Sequence, residues 1–176
     1  LVRKIQDSRA EAFCYEQMGQ IMLSKNQLGE ALEYFMHAAS INKRAGNLNQ
    51  LAENYQEMAT IKSLEYSYQS AIDYLYKSIE LSRAIDANDL EASALRSLSE
   101  IFATLEQYDS AYFYKISYES VHDKITGEKQ ARILFDVQEQ YRSQLEQTGL
   151  QIKQQEQTRQ FIILSAASAI LLAFFL

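Results

Sequence analysis

Residues 12–43 read AFCYEQMGQIMLSKNQLGEALEYFMHAASINK, and the same arrangement returns twice at a fixed distance. A step of 40 carries Ala12 to Ala52 and Ala92, Tyr15 to Tyr55 and Leu95, and Met18 to Met58 and Leu98. It also carries Gly19 to Ala59 and Ser99, Ala31 to Ala71 and Ala111, Phe35 to Leu75, and Ala38 to Ser78. Seven columns that keep one residue class at one period define a repeat array. Within the unit, Tyr15, Met18, Gly19 and Met22 recur at spacings of three or four, which places them on one face of a helix. Leu28, Ala31, Leu32, Phe35 and Ala38 form a second such face after a break at Lys25 to Gln27. Each unit is therefore a pair of antiparallel helices, and the small residues at 19, 59 and 99 and the alanines at 31, 71 and 111 let helices approach closely.

This order of aromatic, Leu and Gly, followed by Ala, Phe and Ala, resembles the tetratricopeptide repeat, over roughly residues 1–124. The resemblance implies an all-α fold: antiparallel helix hairpins in a right-handed solenoid, followed by a long C-terminal helix. The period exceeds the family's usual value of about 34, and the additional residues are expected at the end of the second helix and the turn after it. In the third unit Lys115 replaces the large apolar residue, so Tyr114 and Tyr118 are expected to pack there instead. Leu1 to Ile5, LVRKI, aligns with Leu81 to Ile85, LSRAI, and reads as the tail of an earlier repeat in a longer chain.

Composition narrows the function. Pro and Trp are absent and Gly numbers only five, so nearly the whole chain is free to be helical. Residues 1–125 carry 12 Lys+Arg against 18 Asp+Glu, and residues 126–176 carry five of each, which confines the net charge of −6 to the repeats. With no basic stripe to neutralise phosphates, nucleic acid is not expected as a partner. Cys14 is the only cysteine and reads as a small buried hydrophobe. His37 and His122 read as surface residues on second helices. No HExxH, GxSxG, phosphate loop or Cys/His cluster is present, so the reading is of a non-enzyme with no cofactor and no metal.

Helix starts are marked by Ser8 with Glu11 and Asn88 with Glu91, at capping-box spacing, and more weakly by Asn47 with Gln50. Gly46 is suited to a left-handed helix end. Beyond Lys124 the period stops and Thr126 and Gly127 punctuate, which divides the chain into repeats (1–125), a capping helix and polar stalk or coiled coil (126–160), and an apolar end (161–176). Ile133, Leu134, Val137, Tyr141 and Leu145 form one stripe, suited either to docking on the third unit or to pairing two chains as a parallel coiled coil. Residues 146–160 are polar nearly all round, with Gly149 as a flex point. The uncharged run FIILSAASAILLAFFL, residues 161–176, reads as part of a single-pass membrane span.

The resemblance assigns the first helix of each unit to a concave groove. By position this face comprises Phe13, Glu16, Gln17 and Gln20 in the first unit, Gln56 and Thr60 in the second, and Arg96 and Glu100 in the third. Leu23, Glu53, Glu57, Ser63, Ser93, Ser97 and Ala103 fall on the same face. The Lys and Asn with which chaperone-binding members hold a peptide's terminal carboxylate are missing, and Arg96 is the one cation for an acidic group. Repeats, stalk and span in this order resemble the sensory half of bacterial membrane-bound regulators with a histidine kinase or helix-turn-helix output. The expected function is a membrane-anchored, signal-transducing scaffold with an extracytoplasmic array. It would bind a protein or peptide segment and form a homodimer through residues 130–160 and the span. A tail-anchored scaffold or receptor with a cytosolic array is the alternative.

Overall fold

A computed structural model of the chain describes the backbone of residues 2–174 and the side chains of residues 8–162. Its described elements are all helical: α1 (Val2–Ser24), α2 (Leu28–Ala45), α3 (Leu48–Leu64), α4 (Tyr68–Ala84), α5 (Asn88–Thr104) and α6 (Tyr108–Phe174). The helices α2 to α6 begin at 28, 48, 68, 88 and 108, so the backbone repeats every 20 residues, half the period of the side chains. The turn that sets this spacing is the same each time. Asn26, Gly46, Tyr66, Asp86 and Glu106 all adopt positive φ, from 53° to 71°. The next residue's N–H reaches back to the carbonyl of Met22, Asn42, Lys62, Ser82 or Phe102, and the positive-φ residue's own N–H to that of Leu23, Lys43, Ser63, Arg83 or Ala103. This pair of bonds closes a helix end in the Schellman manner.

Both turns of a repeat are thus equally short, and the two helices of a pair have 17 or 18 residues wherever both ends are flanked by such turns. The extra length of the unit is shared by both helices and is not placed at the end of the second, as the sequence had suggested. Only Gly46 avoids the steric cost of left-handed backbone, on the order of 1 kcal/mol for other residues. Glu106→Gly should therefore raise stability by about 0.5–1 kcal/mol in chemical denaturation. Asn26→Gly should gain less, because Asn tolerates this region.

Helix starts differ from the expected capping boxes. Helix α1 runs unbroken from Val2, so Ser8 lies inside it and the expected turn after Ile5 is absent. Ala87, not Asn88, is the cap of α5, and no cap residue of α2 to α5 makes a side-chain cap bond. Asn88 instead accepts from Lys124 Nζ at 3.4 Å, and Glu91 pairs with Arg83 at 2.7 Å, so both residues tie neighbouring helices together.

Packing follows the 40-residue columns. Helices α1 and α2, and α3 and α4, form hairpins, while α2 packs on α3 and α4 on α5. Ala12, Ala52 and Ala92 are buried, as are Ala31, Ala71 and Ala111, and Phe35 with Leu75. The outer column behaves differently in the first unit. Met58 and Leu98 are buried but Met18 is 46% exposed, and Cys14 is exposed where Asn54 and Ala94 are buried. The difference is positional: α3 packs on α2 and α5 on α4, whereas among the described residues α1 makes its main packing contact with α2. The reading of Cys14 as a buried hydrophobe is corrected accordingly. His37 and His122 are exposed and stack on Tyr15 and Tyr118. In the third unit Lys115 is exposed, and Tyr114 and Tyr118 do pack against the core. Tyr114 stacks on Phe102 at 5.3 Å, and its hydroxyl is hydrogen-bonded to that of Tyr76 at 2.8 Å. Burial, reinforced by this bond, pushes the Tyr114 phenol up to about 12.

The compact repeat unit spans Leu1–Thr126, and Gly127–Leu176 forms a second unit. Thr126 and Gly127 do not interrupt the helix, because α6 continues through them. Among the described residues no helix is long and apolar enough to cross a membrane. That finding overturns the single-pass membrane localisation read from residues 161–176, although most of that run, from residue 163 on, lies outside the side chains described. Together with the span, the extracytoplasmic placement of the array and its tail-anchored alternative lose their basis.

Candidate functional site

Helices α1, α3 and α5 carry the eight residues expected to line a groove, and α3 touches α5 directly. The structure divides those eight into three groups. Thr60 and Glu100 come together in a pocket of about 320 Å³ between α3, α4 and α5. Its walls are Ala59, Leu64, Tyr68, Leu75 and Ile101, and Ser63, Ser97 and Thr104 complete the polar part of the lining with Thr60 and Glu100. The hydroxyls of Thr60, Ser97 and Thr104 each donate to the carbonyl four residues earlier, which leaves oxygen lone pairs available to a ligand. Glu100 is the single charged group in this lining, so the pocket combines an apolar interior with one anionic contact.

Glu16 and Gln56 share a column but serve the joints between helix pairs. Glu16 Oε1 accepts from Asn42 Nδ2 at 3.0 Å and from Asn54 Nδ2 at 2.9 Å, tying α1 to α2 and to α3. Gln56 Nε2 donates to Ser78 Oγ at 3.0 Å and to the Leu90 carbonyl at 2.9 Å, tying α3 to α4 and to the start of α5. Phe13 and Glu16 also line a second pocket of about 310 Å³, with Arg9, Ala12, Asn42, Asn47 and Gln50. The first joint contains three buried asparagines. Asn42 Nδ2 also donates to Asn54 Oδ1, Asn47 Nδ2 donates to Asn42 Oδ1, and Arg9 Nε donates to Asn47 Oδ1. The sequence reading missed this network, whose one signal is a break in pattern: Asn54 is polar where its equivalent Ala94 is not.

Gln17, Gln20 and Arg96 are exposed. Gln20 donates a hydrogen bond to the Glu57 carboxylate. Burial raises the Glu57 pKa, opposed by this bond, and burial raises that of Glu53, reinforced by the charges of Glu16 and Glu57. A carboxyl whose folded value is raised contributes stability that is fully present below the unfolded value of about 4.3 and is lost as the pH rises through the folded value. Glu53→Gln should therefore raise the melting temperature at pH 7 and leave it unchanged at pH 4, as a pair of thermal scans would show. Among the described residues no group of His, Cys, Asp and Glu is arranged to hold a metal ion.

No protein-family model matches the chain, and no curated protein matches it. Solved structures do. The crystal structure of the tetratricopeptide repeat (TPR) domain of Arabidopsis FLU superposes with a TM-score of 0.62 at 13% identity, covering 66% of this chain and 98% of that one. Aspartyl phosphate phosphatase F from Bacillus subtilis superposes with a TM-score of 0.63 at 20% identity, covering 67% of this chain but only 31% of the phosphatase. At these identities the likeness shows the fold, and that fold is a TPR-like all-α solenoid of helix hairpins.

Proposed function

We propose that the repeat array is a non-catalytic scaffold that binds a segment of another protein along its inner face, with one side chain of that segment entering the pocket between α3 and α5. The observation that carries this reading is the lining of that pocket. Apolar walls formed by Ala59, Leu75 and Ile101 accept a side-chain stem, and the hydroxyl groups and Glu100 accept a polar or cationic tip. Phe13, Gln17, Gln20 and Arg96 supply further exposed contacts on the same face, while Glu16 and Gln56 hold the helix pairs in place. The signalling role expected from the resemblance to bacterial regulators is kept as part of this proposal, and its support is the order of repeat array and polar helix alone, without the span.

The test is to select peptides from a random library on the whole chain and measure their binding to variants. Thr60 and Thr104 are exposed at the pocket mouth, so Thr60→Trp and Thr104→Trp should leave helicity and melting unchanged while weakening the selected peptides at least about tenfold, a loss of about 1.4 kcal/mol. Equal affinity for the parent and both variants would remove the pocket from the binding face.

A further inference from the structure

We propose that residues 133–152 of α6 pair with the same residues of a second copy of this chain in a parallel two-helix coil. Ile133, Leu134, Val137, Tyr141, Leu145 and Ile152 are each more than half exposed, from 53% to 64%. Their spacing keeps them on one face, and Thr148 falls on that face between the last two. From Leu134 to Ile152 the steps average 3.6 residues, the period of a straight helix, so the seam runs along the helix without drifting off it.

The distribution of charge favours a second copy as the occupant. At 100° per residue, every charge from Glu128 to Lys153 lies more than about 100° from the centre of the stripe. Glu139 and Arg142 pair with each other on that far face. The positions beside the stripe are Gln138, Gln140, Gln144 and Gln151. Charged flanking residues would set partner choice through salt bridges across the seam. Amides instead both donate and accept, so an identical helix in register meets its own complement without repulsion. Residues 126–176 are also neutral as a whole, in contrast to the acidic repeats. Parallel pairing sets every stripe residue, Ile152 included, against its own copy.

The experiment uses the whole chain with Cys14→Ser, which removes the only thiol. Leu134→Cys and Leu145→Cys should each form a disulfide-linked dimer under mild oxidation, and Arg132→Cys, on the far face, should not. In sedimentation equilibrium Val137→Asp and Tyr141→Asp should weaken the dimer by about a hundredfold or more, because each would bury a charge in the seam. Melting of the repeats should be unchanged in both variants. Three results would overturn the proposal: a monomer throughout the micromolar range, a dimer that survives both aspartates, or cross-linking at Arg132→Cys as efficient as at Leu134→Cys.

Discussion

Gly19→Ala is expected to destabilise the repeat array by up to about 2 kcal/mol, although Gly to Ala inside a helix ordinarily stabilises by about 1 kcal/mol. The reversal comes from Phe35. A Cβ built on Gly19 would lie 2.9 to 3.1 Å from three ring carbons of Phe35, whose side chain is 1% exposed and so cannot swing out into solvent without repacking. Overpacking of this kind costs about 1–3 kcal/mol and outweighs the gain in propensity. Gly19→Leu should cost more, at least about 3 kcal/mol. The second repeat supplies the compensation, since it sets Ala59 in the column of Gly19 and Leu75 in that of Phe35, both buried. Combining Gly19→Ala with Phe35→Leu should therefore recover most of the loss, with a favourable coupling of about 1 kcal/mol or more in a double-mutant cycle. A rise in melting temperature for Gly19→Ala alone would show that the two columns do not face each other.

The second large effect is expected at the joint between the first and second helix pairs. Asn42→Ala removes the partner of Asn54 Oδ1 and of Asn47 Nδ2, and one of the two amides that donate to Glu16. Asn42 and Asn54 are 1% and 2% exposed, so water does not replace the lost bonds without rearrangement. Each orphaned group costs about 1–3 kcal/mol, and a total of about 3–5 kcal/mol is expected from urea titration. The equivalent joint one repeat later uses a different solution, with Gln56, Ser82 and Ala94 at the positions of Glu16, Asn42 and Asn54. The triple variant Glu16→Gln, Asn42→Ser, Asn54→Ala should cost less than Asn42→Ala alone, since removing linked partners together leaves fewer groups unsatisfied. A triple variant that is the less stable of the two would mean that the joints are not equivalent.

How much of this was legible in the sequence depended on which level of the repeat carried the information. The 40-residue columns are a side-chain pattern, and the burial of Ala12, Ala31 and Phe35 and their equivalents follows directly from it. The 20-residue turn is a backbone pattern. Of its five positive-φ positions only Gly46, and more weakly Asn26 and Asp86, belong to residue types that favour that conformation, while Tyr66 and Glu106 give no local sign. The halves of the unit therefore looked unequal when their backbones are alike. Thr60 and Glu100 line one pocket because position on a helix decides which way a side chain sets out. Position does not decide where a long side chain ends. Glu16 and Gln56 are drawn into the joints by partners 22 to 38 residues away. Cys14 and Met18 failed for another reason: a column predicts burial only where a neighbouring helix is packed on it. The membrane reading failed because it rested on the apolarity of residues 161–176 alone.

One helix pair is laid down repeatedly in register, so that column 19 faces column 35 and column 59 faces column 75. A nuclear Overhauser spectrum of the chain with labelled Gly, Ala, Leu and Phe tests it most directly. Cross-peaks are expected from the Gly19 α-protons to the Phe35 ring and from the Ala59 methyl to the Leu75 methyls. Absence of both, with the resonances assigned and sharp, would contradict the register on which the pocket and its proposed ligand depend.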